Sequence, residues 1–140
     1  MTWWNYQEVG HNQDAKKEVK LLDLGEVFGT PKAEKLIHRI LTLATNKGDL
    51  VLDSFLGSGT TAAVAHKMGR RYIGIEMGEH VKTHCATRLQ KVIDGEQGGI
   101  SKAVEWKGGG GFRFYHLGEA IYNGLKKSDS KKSGFVSQMI

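Results

Sequence analysis

Apolar residues recur at helical and strand spacings through the middle of the chain. Helical spacing after Thr30-Pro31 predicts an amphipathic helix over 31–45, with Thr30 as N-cap and Pro31 at the first helical position. The short apolar runs Leu50–Asp53 and Tyr72–Glu76 each end on an acid, which is typical of buried parallel strands. The pattern therefore predicts helix, strand and strand in that order.

Further helices lie between and after these strands. A run of small residues predicts a helix over Ala62–Met68, and apolar spacing predicts a long one over Glu79–Ile93. The resulting strand–helix–strand–helix order indicates an α/β fold with a parallel sheet and flanking helices. The pattern is weaker elsewhere, where it predicts a short helix over 14–22 and strands over Ala103–Trp106 and Phe112–Leu117.

The chain divides into three segments by composition. An aromatic and polar lead-in occupies 1–28, the α/β unit occupies 29–118, and a Lys/Ser-rich tail over 119–140 is predicted to be disordered. We expect the lead-in aromatics to pack in the core or against a further part of the protein; they are Trp3, Trp4 and Tyr6.

Composition excludes several classes of protein. With 140 residues the chain has room for about one domain. Its single cysteine, Cys85, forms no internal disulfide, which fits a reducing compartment. No secretory signal is evident and no apolar run approaches the roughly 20 residues of a membrane helix, so we expect a cytoplasmic protein without membrane partners. The six histidines show no spacing that predicts a metal site.

Charge alone leaves two interpretations open. Twenty Lys/Arg against fifteen Asp/Glu give a net charge of +5 and a pI near 9.3. Such a balance suits an anionic partner such as nucleic acid, and it equally suits a solvated basic surface.

The residues between the two strands carry the chemistry. Asp53-Ser54-Phe55-Leu56 leads into Gly57–Thr61, called the glycine loop below, where absent side chains let a ligand approach the backbone. A nucleoside triphosphate loop would need glycine and lysine at positions that hold Ala62 and Ala63, so that class is excluded.

Two adenosine cofactors remain. Gly57, Gly59 and Ala62 satisfy the loose dinucleotide spacing, and Glu76 lies at the right distance to hold a ribose. Asp53, however, would repel a pyrophosphate, whereas it would attract the positive sulfonium and ammonium groups of S-adenosylmethionine. The two acids therefore favour S-adenosylmethionine.

Three segments resemble motifs of amino-methylating DNA methyltransferases. Asp53–Thr61 resembles their cofactor motif, 30–37 their accessory cofactor motif, and 73–77 the motif that holds the ribose. With the lead-in and the glycine-rich stretch before Leu117, the chain is similar to the modification subunit of type III restriction–modification systems, which are adenine-specific. Ala33 departs from the proline usual in the accessory motif.

The resemblance implies a partial Rossmann-like S-adenosylmethionine-dependent methyltransferase fold. It also implies a set of cofactor-binding residues. These are Thr30, Pro31, Lys32, Asp53, Phe55, Gly57, Ser58, Gly59, Thr60, Glu76 and Met77.

The catalytic loop of this family is missing. Such enzymes hold the flipped adenine with an Asp-Pro-Pro-Tyr-type loop, and this chain has one proline, Pro31. We therefore predict no catalytic residue here, a C-terminal piece of an enzyme that is inactive alone, and a sheet edge left open for the missing strands. The partners implied are DNA, the N-terminal part of the methyltransferase, a second modification subunit and a restriction subunit.

Two alternatives stay open. One is a fragment of an NAD-type dinucleotide-binding oxidoreductase, which the loose glycine spacing allows. The other is a truncated remnant without function, which the unusual Lys/Ser-rich tail suggests.

Overall fold

A computed structural model describes residues 4–21, 29–118 and 137–139. Five α-helices, four β-strands and one π-helical segment form these regions. In chain order they are α1 (Tyr6–Val9), α2 (Asn12–Leu21), α3 (Glu34–Ala44), β1 (Leu50–Asp53), α4 (Thr60–Lys67), β2 (Arg71–Glu76), the π-helix Val81–Ala86, α5 (Thr87–Ile93), β3 (Phe114–His116) and β4 (Ser137–Met139). The predicted strand–helix–strand–helix unit is confirmed.

The strands form a mixed sheet in the order β1-β2-β4-β3. β1 and β2 are parallel, with Leu50 opposite Arg71 and Asp53 opposite Gly74. β4 is antiparallel to both of its neighbours, β2 and β3. The predicted parallel sheet is therefore present only at β1 and β2, whose acidic ends lie at the same edge.

The hydrophobic core lies between one face of this sheet and the helices. Alanines of α4 are fully buried there, and their small side chains let α4 pack closely on α3, α5 and β2. The buried core cluster consists of Leu41, Leu56, Ala62, Val64, Ala65, Tyr72, Val81, Cys85, Leu89 and Ile100.

The opposite face of the sheet is exposed at β1. Leu50 is 50% exposed and Leu52 is 64% exposed, although the sequence predicted a buried strand. Within the described part of the chain, β1 pairs only with β2 and forms an edge of the sheet. The prediction of burial was wrong for the described structure, because its helices cover the face that carries Val51 and Tyr72 and not the face that carries Leu50 and Leu52.

The start of α3 also differs from its prediction. Thr30 and Pro31 lie before the helix in irregular backbone, and Ala33 is the N-cap, without a side-chain hydrogen bond. The first helical amide, that of Glu34, instead donates to Glu18 Oε2 of α2 at 3.0 Å. A distant carboxylate therefore replaces the local threonine cap.

The segment Ala103–Trp106 forms turns and not the predicted strand. Its backbone bonds are local: Val104 N donates to Ile100 O and Trp106 N to Ser101 O. The Trp106 indole donates to Val92 O at 2.7 Å, which fastens the turn to α5.

The predicted tail lies largely outside the described residues, as does Trp3 of the lead-in. Within that tail, Ser137–Met139 forms β4 where the sequence predicted disorder. Pairing with both β2 and β3 supplies backbone hydrogen bonds that no local pattern signals. Of the other lead-in aromatics, Trp4 and Tyr6 are exposed, and the ring of Trp4 lies 5.5 Å from the Arg39 guanidinium.

Candidate cofactor-binding site

A pocket of about 260 Å³ opens at the carboxyl end of β1. It lies between the glycine loop and the segment that precedes α3. Its lining residues are Thr30, Lys32, Asp53, Phe55, Leu56, Gly57, Ser58, Thr60 and Thr61. Seven of the eleven residues predicted to bind a cofactor are among them, although they come from two separate stretches of sequence.

The other four predicted residues adjoin the pocket without lining it. Pro31 is a buried residue of the segment before α3, and Gly59 is buried within the glycine loop. Glu76 and Met77 end β2, next to β1. Sequence reasoning missed two lining residues, Leu56 and Thr61, which lie inside the motif and have no chemistry that singles them out.

Asp53 is the acid at the end of β1. It is half-buried, and its Oδ1 accepts a hydrogen bond from Phe55 N at 3.1 Å, which turns the chain away from the strand. That turn leaves the Phe55 side chain 87% exposed. A carboxylate and an aromatic ring therefore stand together at the mouth of the pocket.

The glycine loop rests directly on the helix that follows β2. Gly59 has φ +80°, and a Cβ there would lie 3.2 Å from Cys85 Cα. The Cys85 thiol donates to Gly57 O at 3.0 Å. Burial, helped by the carboxylates of Glu76 and Asp53, raises the pKa of this thiol to about 12. Cys85 is thus a buried support for the loop.

Glu76 connects the end of β2 to the same loop. Its Oε2 accepts from Gly57 N at 2.7 Å, and its Oε1 accepts from Met77 N at 2.8 Å and Gly78 N at 3.2 Å. Burial alone would raise the pKa of this carboxyl, but these three amides and the nearby His80 bring the pKa below its usual range. Glu76 is therefore held ionised beside the loop.

The segment before α3 is attached to the loop through its backbone. Thr60 Oγ1 donates to Lys32 O at 3.2 Å and lies 3.2 Å from Ser58 Oγ. Thr30 and Lys32 are exposed, so their side chains stay available at the pocket wall. The accessory motif and the glycine loop thus form one structural unit.

Behind the loop lies a buried charged residue that sequence reasoning did not select. Arg88 is fully buried and bonds to Ser58 O and Thr60 Oγ1. The sequence did contain a sign of it: Arg88 is a charged residue at an otherwise apolar position of the helical pattern, on the same face as Val81 and Cys85.

The arrangement suits a ligand with positive charge and hydroxyl groups. Two carboxylates flank backbone amides, and the exposed side chains of Phe55 and Met77 offer apolar surface for a flat ring. A larger pocket of about 570 Å³ lies at the amino ends of the strands, where Leu50 and Arg71 begin them, but no carboxylate lines it.

The described ranges hold neither a metal centre nor a membrane span. No group of three or more His, Cys, Asp or Glu side chains there is arranged to hold a metal ion. None of the helices described has the length and apolar character to cross a membrane.

Comparison with known proteins identifies the family. A sequence model of a DNA methylase family, that of N6 and N4 methyltransferases, matches residues 1–87. The probable type III restriction-modification enzyme HindVI Mod subunit of Haemophilus influenzae is 62% identical over 86 residues, which cover 61% of this chain and 12% of that protein.

Two further relatives are also named as methyltransferases. The DNA adenine methyltransferase YhdJ of Escherichia coli is 39% identical over 111 residues, covering 71% of this chain and 38% of that protein. The type II methyltransferase M1.MboII of Moraxella bovis is 45% identical over 75 residues, covering 53% and 27%. No solved structure matches.

The alignments thus span between 12% and 38% of the length of these three relatives. The family match extends over more than half of this chain and includes β1, the glycine loop and β2. The chain belongs to the N6/N4 DNA methylase family.

Proposed function

We propose that this chain is the cofactor-binding part of a DNA methyltransferase that modifies the exocyclic amine of adenine, with S-adenosylmethionine as methyl donor. The observation that carries the proposal is the 260 Å³ pocket, because it joins the glycine loop, Asp53 and the accessory segment of a DNA methylase chain. We also propose a cytoplasmic location for it.

Each predicted site residue has a role in this proposal. Asp53 attracts the positive ammonium end of the cofactor, and Glu76 accepts hydrogen bonds from its ribose hydroxyls. Gly57, Ser58, Gly59 and Thr60 present backbone and hydroxyl groups at close range. The apolar side chains of Phe55 and Met77 cover the adenine, while Thr30 and Lys32 complete the pocket wall and the buried Pro31 holds the backbone between them. When bound, S-adenosylmethionine supplies a methyl group attached to positively charged sulfur.

We further propose that this chain is inactive alone. With the single proline Pro31 it has no Asp-Pro-Pro-Tyr-type loop to hold adenine, so we expect no methylation by the chain by itself. In the complete enzyme, a Rossmann-like sheet would continue from the edge of β1. The free edge of β1 within the described residues supports added strands, and the exposed Leu50 and Leu52 support a further layer over that face.

The partners follow from the same proposal. DNA is the substrate, and the remaining part of the methyltransferase supplies the catalytic loop. One relative is named as a Mod subunit of a type III restriction-modification enzyme. We accordingly include a second modification subunit and a restriction subunit among the proposed partners.

Two observations favour S-adenosylmethionine over a dinucleotide. Asp53 lines the pocket, where it would repel a pyrophosphate. The family match and the named relatives are DNA methyltransferases and not oxidoreductases.

A calorimetric titration with S-adenosylhomocysteine tests the proposal. We expect saturable binding by the wild-type chain and at least a tenfold loss of affinity in Asp53→Ala and Glu76→Ala, because each removes a charged contact. Glu105→Gln is the matched control, since it removes an exposed acid in a turn away from the pocket and should leave the affinity unchanged.

Binding of NADH without binding of S-adenosylhomocysteine would overturn the proposal in favour of an oxidoreductase fragment. A well-folded chain that binds neither would overturn the assignment of this pocket. A chain without cooperative unfolding would indicate a remnant.

A further inference from the structure

A cluster of buried charges lies behind the glycine loop. It consists of Glu34 from α3, Lys67 from α4, Arg88 from α5, and the half-buried Glu96, and it is called the charge cluster below. Glu34 is at its centre: Oε1 accepts from Arg88 Nη2 at 2.8 Å, and Oε2 accepts from Lys67 Nζ at 2.8 Å and from Ile100 N at 3.0 Å.

Arg88 is the member that reaches the glycine loop. While Nη2 bonds to Glu34, Nη1 donates to Thr60 Oγ1 at 2.9 Å and lies 3.4 Å from Ser58 O. The planar guanidinium fixes these two directions relative to each other, which an ammonium group cannot do. One rigid group therefore connects the anchored carboxylate of α3 to the wall of the pocket.

Lys67 provides a comparison within the charge cluster. It is buried like Arg88 and bonds to the same carboxylate. It also contacts Glu96 and Gly98 O, and neither of these residues lines the pocket. Both cations are thus buried and paired with Glu34. Of the two, Arg88 also bonds to Ser58 and Thr60 of the glycine loop.

Stability by itself is a poor explanation for this arrangement. Burying charges costs free energy, and well-packed apolar residues commonly stabilise a core as well as a buried ion pair does. A buried arginine does supply geometry, because it can hold a loop at a fixed distance from a helix.

We infer that Arg88 is a positioning residue for cofactor binding: anchored by Glu34, it holds Ser58 and Thr60 of the glycine loop in the conformation that receives the cofactor. The inference rests on the proposed function of this pocket. It adds a specific physical requirement, since a folded chain with a displaced loop should bind poorly.

The test compares Arg88→Met with Lys67→Met. Both remove a buried cation from Glu34, so both should lower stability. At a temperature where both variants are folded, we expect Arg88→Met to lower the affinity for S-adenosylhomocysteine about tenfold or more, as loss of a charged hydrogen bond does. Lys67→Met should keep an affinity within about twofold of wild type. Arg88→Lys should fall between them, because lysine keeps the charge without the fork.

A second measurement follows the loop without any ligand. Backbone amide resonances of Gly57 and Gly59 should move in Arg88→Met and stay in place in Lys67→Met. Equal changes in the two variants, in affinity or in these resonances, would reduce Arg88 to a core residue and overturn the inference. The inference would also be overturned if both Arg88 variants unfolded under conditions where Lys67→Met remains folded.

The two proposals fail in different ways. Absence of binding by the wild-type chain contradicts the proposed function, whereas the amide resonances still decide whether Arg88 positions the loop. Binding that is equal in wild type and Arg88→Met contradicts only the inference about Arg88.

Discussion

At the scale of single residues, Glu34 shows how a buried charge is kept ionised. Burial by itself would raise the pKa of this carboxyl, but Arg88 and Lys67 bring the pKa below its usual range. A lowered folded-state pKa means that ionised Glu34 stabilises the fold above the unfolded-state value of about 4.3, and that this stabilisation disappears as pH falls through the folded-state pKa.

Glu34→Gln should therefore lower the free energy of unfolding near pH 7 by about 3 kcal/mol, because two buried cations lose their shared anion. Urea unfolding measures this. The wild-type chain should also lose stability below about pH 4.3, and this acid-dependent loss should be smaller in the variant. Glu105→Gln, an exposed control, should retain the wild-type acid profile.

The pKa of Glu18, which is hydrogen-bonded to Glu34, is shifted in the opposite direction to that of Glu34. Burial raises the pKa of this carboxyl, which accepts from Glu34 N. The contribution of Glu18 to stability is therefore greatest at low pH and is lost as pH rises through its raised pKa.

For Glu34→Gln, the contradicting outcome is a dependence of stability on acid pH that equals that of the wild type. Glu34 would then not be the cause of the loss of stability below about pH 4.3.

Among the secondary-structure elements, the π-helix packs against the glycine loop and so helps to determine the shape of the pocket. Gly59 N-caps α4 in a left-handed conformation directly above Cys85. Irregular π-helical turns are frequent at functional sites. Here the π-helix Val81–Ala86 brings a buried thiol under the loop, where Cys85 Sγ bonds to Gly57 O.

Gly59→Ala should be more damaging than Gly48→Ala. Both positions have positive φ, +80° and +88°, so alanine is strained by about 1 kcal/mol or more at either. Only at Gly59 does a Cβ also approach another part of the chain, 3.2 Å from Cys85 Cα, while nothing lies within 4 Å at Gly48.

Thermal unfolding and the affinity for S-adenosylhomocysteine provide the measurements. We expect a lower Tm in both variants and a loss of affinity in Gly59→Ala alone. If Gly48→Ala weakened binding as much, general destabilisation and not loop shape would explain the effect.

Among the described residues, the helices of the molecule cover one side of the sheet and leave the other side of β1 exposed. Leu50 and Leu52 expose apolar surface on the other side, and β1 presents a free edge within the described residues. Exposed apolar patches and unpaired sheet edges promote association. The Mod subunit and YhdJ are much longer than this chain, and we propose that a further part of the complete methyltransferase covers this face.

The isolated chain should therefore self-associate as its concentration rises, which sedimentation velocity measures. Replacing Leu50 and Leu52 by threonine should reduce association while keeping strand propensity. Leu43→Thr is the matched control, since Leu43 is 70% exposed but lies on α3, away from the sheet. Association unchanged by the double replacement, or equally reduced by the control, would rule out this face as its cause.

Local sequence patterns were enough to predict the order of the α/β unit and the place of the glycine loop. Hydrophobic period and glycine content are local properties, so β1, β2 and the helices between and after them were predicted within a few residues. Nearby residues also carried the family motifs. Their resemblance indicated a DNA methylase, and the family match over residues 1–87 confirms it.

Features that depend on contacts between distant residues could be seen only in the folded chain. Glu18 rather than Thr30 caps α3, Arg88 bonds to Thr60 across 28 positions, and residues 103–106 fold as turns against α5. The exposure of one face of β1 could not be predicted either, because the sequence of a strand does not show which other elements will cover it. These outcomes follow from burial and hydrogen bonding, which are settled only when the whole chain packs.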